Sequence, residues 1–163
     1  MTKLPSRLHH TAYVTKDLEA TRAFYEDVLG IPLAATWCET DFLFGKDRTY
    51  CHCFFEIGDK SALAFFQFAD PEDQALFGPK MPETPFVHIA LNVDQEAQAE
   101  LEARIHKGGI QPPMTYTLEH GYCRSVYVVD PNGMTVEFTC DDPRAEGGDE
   151  YRRSIAHAEL KRW

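Results

Sequence analysis

Between His120 and Glu137 the chain reads HGYCRSVYVVDPNGMTVE, a stretch in which groups able to hold a metal or move a proton recur at short spacing. His120 opens it, Tyr127 lies within an apolar run, and Glu137 follows Asp130-Pro131-Asn132-Gly133. Proline's fixed φ and glycine's tolerance of positive φ predict a hairpin joining strands at 125–129 and 134–140. On the second strand Thr135, Glu137 and Thr139 share one face, and Val136 and Phe138 the other. A carboxylate there needs a partner, because burying it alone is costly or drives its pKa up. A metal ion is one answer; a strand face open to water is the other.

Two more histidines stand at matching places. A strand predicted over 8–15 carries His10, followed by the N-cap candidate Asp17, a helical pattern through Leu18, Thr21, Tyr25, Val28 and Leu29, and a stop at Gly30 and Pro32. A strand over 86–93 carries His88, followed by Asp94, helical spacing through Ala97, Leu101, Arg104 and Ile105, and a stop at Gly108-Gly109. Three strands follow each helix: near 33–38, 50–57 and 62–68 in the first case, and near 114–118, 125–129 and 134–140 in the second. The offset of about 78 residues marks an internal repeat of a strand–helix–three-strand unit. Neither unit is expected to stand alone, whereas two bury their sheets together. The repeat puts His10 and His88 at equivalent positions. With Glu137 they make a two-histidine, one-carboxylate set, a ligand type suited to non-haem Fe(II) with open positions.

The composition bounds the rest. At 163 residues the chain suits one domain of two modules, 7–68 and 86–141, with a Pro- and acid-rich linker at 69–85 that has one helical turn near 72–77. A tail over 142–163 carries Gly147-Gly148 and then a helical pattern ending at Trp163. That helix lies on the domain or on a second subunit; the residues do not choose. The net charge of −10 argues against nucleic acid and anionic membranes as partners. No signal peptide or membrane span is apparent, and five cysteines without CxxC spacing fit reduced thiols in a cytoplasm. In Cys51-His52-Cys53 strand alternation puts the thiols on one face and His52 on the other. A metal is not expected there, and His52 is an alternative acid/base group if it reaches a pocket. The phenylalanines of the first unit are core, with some free to wall an aromatic substrate.

Residues 7–141 resemble the vicinal oxygen chelate superfamily, which includes glyoxalases, bleomycin-resistance proteins, epimerases and type I extradiol dioxygenases. The opening HTAYVTKDLEATRAFYEDVLGIPL is similar to the family's first strand and helix and points to His10, not His9, as the ligand. The resemblance implies an α+β fold of two βαβββ modules with a curved mixed sheet, plus the C-terminal helix. His120, Val126, Tyr127, Asp130, Pro131, Gly133 and Glu137 match the extradiol signature, and Leu118 departs from it. The implied site has His10, His88 and Glu137 as metal ligands and His120 as acid/base or orienting group. Tyr127 donates a hydrogen bond to a metal-bound substrate oxygen, as the similar tyrosine does in extradiol enzymes. The implied metal is Fe(II), with Mn(II) or another divalent ion as alternatives. The implied partners are a catecholic or other vicinal-oxygen substrate, dioxygen and a second copy in a homodimer. A glyoxalase-type site is expected to draw another carboxylate from the last strand of the first unit, where Ala64 or Phe65 stands instead, with Gln67 the nearest polar group. The preferred expectation is an Fe(II) extradiol-type dioxygenase. A glyoxalase-like lyase or isomerase, an epimerase, or a metal-free binding protein remains as an alternative.

Overall fold

A computed structural model describes residues 5–78, 84–142 and 149–163. Strand β1 (His10–Val14) leads to Asp17, whose side chain accepts the Ala20 N–H and so caps α1 (Leu18–Arg22). The helix widens into a π-helical turn over Ala23–Val28. It ends at Gly30, whose φ of 77° favours a residue without a side chain, and whose bare Cα lets the Arg104 guanidinium pack against it. Strands β2 (Leu33–Leu43), β3 (Lys46–Glu56) and β4 (Ala62–Phe68) complete the first unit, and α2 (Pro71–Phe77) follows. The second unit repeats the order: β5 (His88–Asn92), α3 (Gln95–Lys107) capped by Asp94, then β6 (Thr115–Glu119), β7 (Cys123–Val129) and β8 (Thr135–Asp141). Helix α4 (Asp149–Arg162) closes the chain.

The strands form two four-stranded mixed sheets, ordered β1-β4-β3-β2 and β5-β8-β7-β6. In each, the first strand runs parallel to the last and the other pairings are antiparallel. This corrects the expected curved mixed sheet. The two modules are present, but their sheets are separate and neither curls toward closure. The physical reason lies at β1 and β5. Each is hydrogen-bonded on one side, to β4 or β8, and among the described residues no ladder joins one sheet to the other. Four strands with ordinary twist do not close on themselves.

What joins the modules is side-chain packing. One buried cluster contains Phe24, Tyr25, Leu29, Phe55, Leu63 and Phe65 from the first unit and Leu101, Ile105, Val126, Val136 and Phe138 from the second. The predicted Asp-Pro-Asn-Gly turn makes the β7–β8 hairpin and also crosses between modules. Tyr25 donates to the buried Asp130 at 3.2 Å, and Asn132 Oδ1 accepts from Thr15 Oγ1 at 2.8 Å and from the Lys16 N–H at 3.2 Å. Helix α2 is longer than the single turn expected and is anchored to β3 by the buried Arg48–Asp73 ion pair at 3.0 Å. Tyr151 and Leu160 of helix α4 and Trp163 after it are exposed, and Arg152 lies 4.7 Å over the Tyr122 ring. No described helix is long and apolar enough to cross a membrane. The readings for the chain's first residues, the Pro-rich end of the linker at 79–83 and Gly147-Gly148 lie outside the described residues.

Candidate active site

Strand registers decide which residues share the face of each sheet turned away from the common core. In sheet two, Ala90 pairs with Glu137, Glu137 with Tyr127, and Tyr127 with Tyr116, so the face carrying His88 also carries these groups. Glu137 is buried, 7% exposed, and both of its oxygens are engaged. Ser125 Oγ donates to Oε1 at 2.6 Å, and Oε2 lies 2.9 Å from His88 Nε2. His88 Nδ1 faces the Pro85 carbonyl at 2.9 Å. A carbonyl only accepts, so Nδ1 carries the proton and the Nε2 lone pair is aimed at Glu137. Either a second proton or a cation must lie between those two atoms.

The spacing suits a cation. Two cis ligands each about 2.1 Å from an octahedral ion lie about 3.0 Å apart, and the donors are an imidazole nitrogen and a carboxylate oxygen. The partners behind them, a backbone carbonyl on the histidine and a hydroxyl on the carboxylate, are those that orient metal ligands. Beside the pair, Tyr127 stacks on Tyr116 with centroids 4.8 Å apart and meets His88 edge-on at 5.9 Å. Its hydroxyl lies 3.1 Å from His120 Nε2. Burial, with the Glu137 carboxylate adding to it, pushes the Tyr127 phenol above its ordinary pKa, so it remains a donor at neutral pH.

His10 stands elsewhere. On the corresponding face of sheet one its ring lies 5.6 Å from Phe54 and 6.4 Å from His52, and its Nδ1 is 2.7 Å from His9 Nδ1. Among the described residues no three His, Cys, Asp or Glu side chains gather as a metal site. The structure thus brings together His88 with Glu137, and His120 with Tyr127, and leaves His10 apart from both pairs.

The registers also align the two faces. His10 pairs with Ala62 as His88 pairs with Thr135, and Ala12 pairs with Ala64 as Ala90 pairs with Glu137. Ala64 is therefore the residue equivalent to Glu137. Through β3 and β7, Phe54 stands for Tyr127 and His52 for Ser125. Gln67 lies on the other face, where its Oε1 accepts the Leu18 N–H at 2.8 Å. One face is thus rich in polar groups. Its counterpart is an aromatic wall of Trp37, Phe54, Phe66 and His52, the last stacked on Phe66 at 3.5 Å.

This doubled βαβββ arrangement has a known counterpart, because residues 7–138 match the sequence pattern of the Glyoxalase/Bleomycin resistance protein/Dioxygenase superfamily. The chain belongs to that superfamily. It is 29% identical over 142 residues to the uncharacterized protein YwbC of Bacillus subtilis, covering 83% of this chain and 98% of that one. Among solved structures, lactoylglutathione lyase from Agrobacterium tumefaciens is 24% identical with a TM-score of 0.52, over 85% of this chain and 96% of its own. The Listeria monocytogenes fosfomycin resistance protein FosX, complexed with Mn(II) and sulfate, is 20% identical with a TM-score of 0.58, over 87% and 98%. At such identities these two structures share the superfamily's fold with this chain, and function must be argued from the site.

Two parts of the site escaped the sequence reading. In the sequence Ser125 reads only as a strand residue, although the hairpin turn sets it diagonal to Glu137 on the same face. Tyr116 gave no signal, because its role depends on the β6–β7 register.

Proposed function

We propose that the chain is a metal-dependent enzyme acting on a small substrate with two neighbouring oxygens. The observation that carries this reading is the buried Glu137 carboxylate, held between Ser125 and His88 and flanked by Tyr127 and His120. His88 and Glu137 are the two ligands supplied by sheet two, and His10 is the third, brought by sheet one of a second copy in a homodimer. Supporting that division is the separation of His10 from the pair within one chain, together with two sheet faces left open by the same fold. A divalent ion, Fe(II) in the first reading and Mn(II) in the second, supplies Lewis acidity toward adjacent substrate oxygens. Tyr127 donates its hydroxyl proton in a hydrogen bond to one of those oxygens and holds it in place. His120 takes up or returns a proton at the substrate. Trp37, Phe54 and Phe66 exclude water and stack on a planar substrate.

Within this frame the first reading is extradiol-type cleavage of a catechol with dioxygen. It is favoured by Ala64, which puts a methyl where a glyoxalase-type site is expected to place a second carboxylate. The second reading is a lyase or isomerase, favoured by His52. Burial and neighbouring His10 hold that imidazole down at about 4, so it is neutral at physiological pH and offers a hydrogen-bonding nitrogen on the aromatic wall. A lactoylglutathione lyase is among the proteins of similar fold, and FosX of the same fold was solved with Mn(II).

The test is metal analysis of anaerobically purified protein, followed by oxygen uptake on a panel of catechols. Iron lost in Glu137→Ala, with catechol-dependent oxygen consumption, supports the first reading. Metal binding without oxygen uptake, but with turnover of a hemithioacetal, supports the second. Failure to take up Fe(II), Mn(II), Zn(II) or Ni(II) overturns both and leaves a binding protein.

A further inference from the structure

We infer that Cys38 and Cys51 are a modification site: a dithiol that a peroxide converts reversibly into a disulfide stapling β2 to β3. The two residues are direct partners in the antiparallel β2–β3 register, and their sulfurs lie 2.6 Å apart. That is inside van der Waals contact and about half an ångström beyond a sulfur–sulfur bond of about 2.05 Å. The pair belongs to a ladder of facing side chains on the same side of the hairpin. Thr36 meets Cys53 at 3.4 Å, and Thr40 meets Thr49 at 2.7 Å. Cys38 is exposed, Cys51 half-buried and Cys53 buried, so an oxidant reaches Cys38 first.

The chemistry balances with the peroxide as the only co-reactant. The Cys38 sulfur attacks a peroxide oxygen and becomes a sulfenic acid, releasing one water. The Cys51 sulfur then displaces the sulfenic oxygen as a second water and forms the bond. Two thiols lose two electrons and two protons, and the peroxide gains them. A small dithiol reverses the step.

The staple acts on an edge. Among the described residues strand β2 pairs only with β3, and it is exposed along most of its length, the kind of strand that opens locally. One residue from the cysteines, on the opposite face, Trp37 pairs with His52 in the aromatic wall. Fixing the register at Cys38–Cys51 therefore fixes that wall. The inference does not depend on the metal or on the reaction proposed above.

The test uses the reduced full-length chain, treated with hydrogen peroxide, alkylated and digested. The expected product is one crosslinked peptide pair containing Cys38 and Cys51, lost on dithiothreitol treatment and absent in Cys38→Ser. Hydrogen exchange of β2 amides is expected to slow about tenfold on oxidation. Alkylation of both cysteines after peroxide, irreversible oxidation of Cys38 alone, or a Cys38–Cys38 link between chains would each overturn it. A crosslink that leaves β2 exchange unchanged would overturn the staple.

Discussion

Glu137 is gripped from two sides, and the two grips differ in kind. His88 faces the oxygen that the proposed metal would share with it, whereas Ser125 holds the other oxygen and fixes the carboxylate's plane. Ser125→Ala is therefore expected to lower affinity for Mn(II) or Fe(II) by about 10- to 100-fold, the range for groups that orient ligands. Calorimetric titration of the metal checks this, and unchanged affinity would mean that Ser125 does not orient the carboxylate. His52 makes a prediction about stability. Burial, with His10 beside it, lowers its pKa from 6.5 to about 4. Between those values the unfolded chain binds more protons, so this contribution is complete above pH 6.5 and is lost as pH falls toward 4. In His52→Phe the drop in urea midpoint between pH 7 and pH 5 is expected to be smaller than in the wild type. An equal drop would mean that His52 carries no such linkage.

At the scale of elements, the turn Asp130–Gly133 does more than reverse the chain. Asn132 reaches into the first module, accepting from Thr15 and from the Lys16 amide, while Asp130 takes the Tyr25 hydroxyl. Asn132→Ala removes the acceptor shared by Thr15 and the Lys16 amide and is expected to cost about 0.5–1.5 kcal/mol, read as a lower urea midpoint with an unchanged slope. A slope change would mean that the modules had uncoupled. The contrast explains what was legible beforehand. Asp17, Gly30, Asp94 and Gly108 are local punctuation, and they marked both helices and the repeat correctly. The hairpin was legible because proline and glycine carry its turn in their own backbones. The sheet shape was not, because closure depends on whether β1 and β5 find partners across 78 residues, and no local pattern records that. The same limit hid Ser125 and Tyr116, whose roles come from cross-strand register. It left His10 marked by the repeat but without its surroundings.

At the scale of the molecule, the decisive feature is that equivalent faces are unequally equipped. Sheet two has His88, Glu137, Tyr127 and Ser125 where sheet one has His10, Ala64, Phe54 and His52. The repeat gives two copies of one surface; one is an aromatic wall and the other carries the polar groups of the proposed site. In a symmetric dimer each site would draw its wall and His10 from one copy and its carboxylate from the other. Subunit mixing tests that division directly. His10→Ala and Glu137→Ala chains are each expected to be inactive alone. Unfolded and refolded together in equal amounts, they form mixed dimers in which one site has lost both groups and the other has kept both. Random pairing makes roughly a quarter of all sites intact, and activity is expected to return to about that fraction of wild type. If both ligands instead came from the same chain, every site in the mixture would lack one of them and activity would stay at zero. The experiment therefore separates a site built between copies from one built within a chain, whichever substrate the aromatic wall receives.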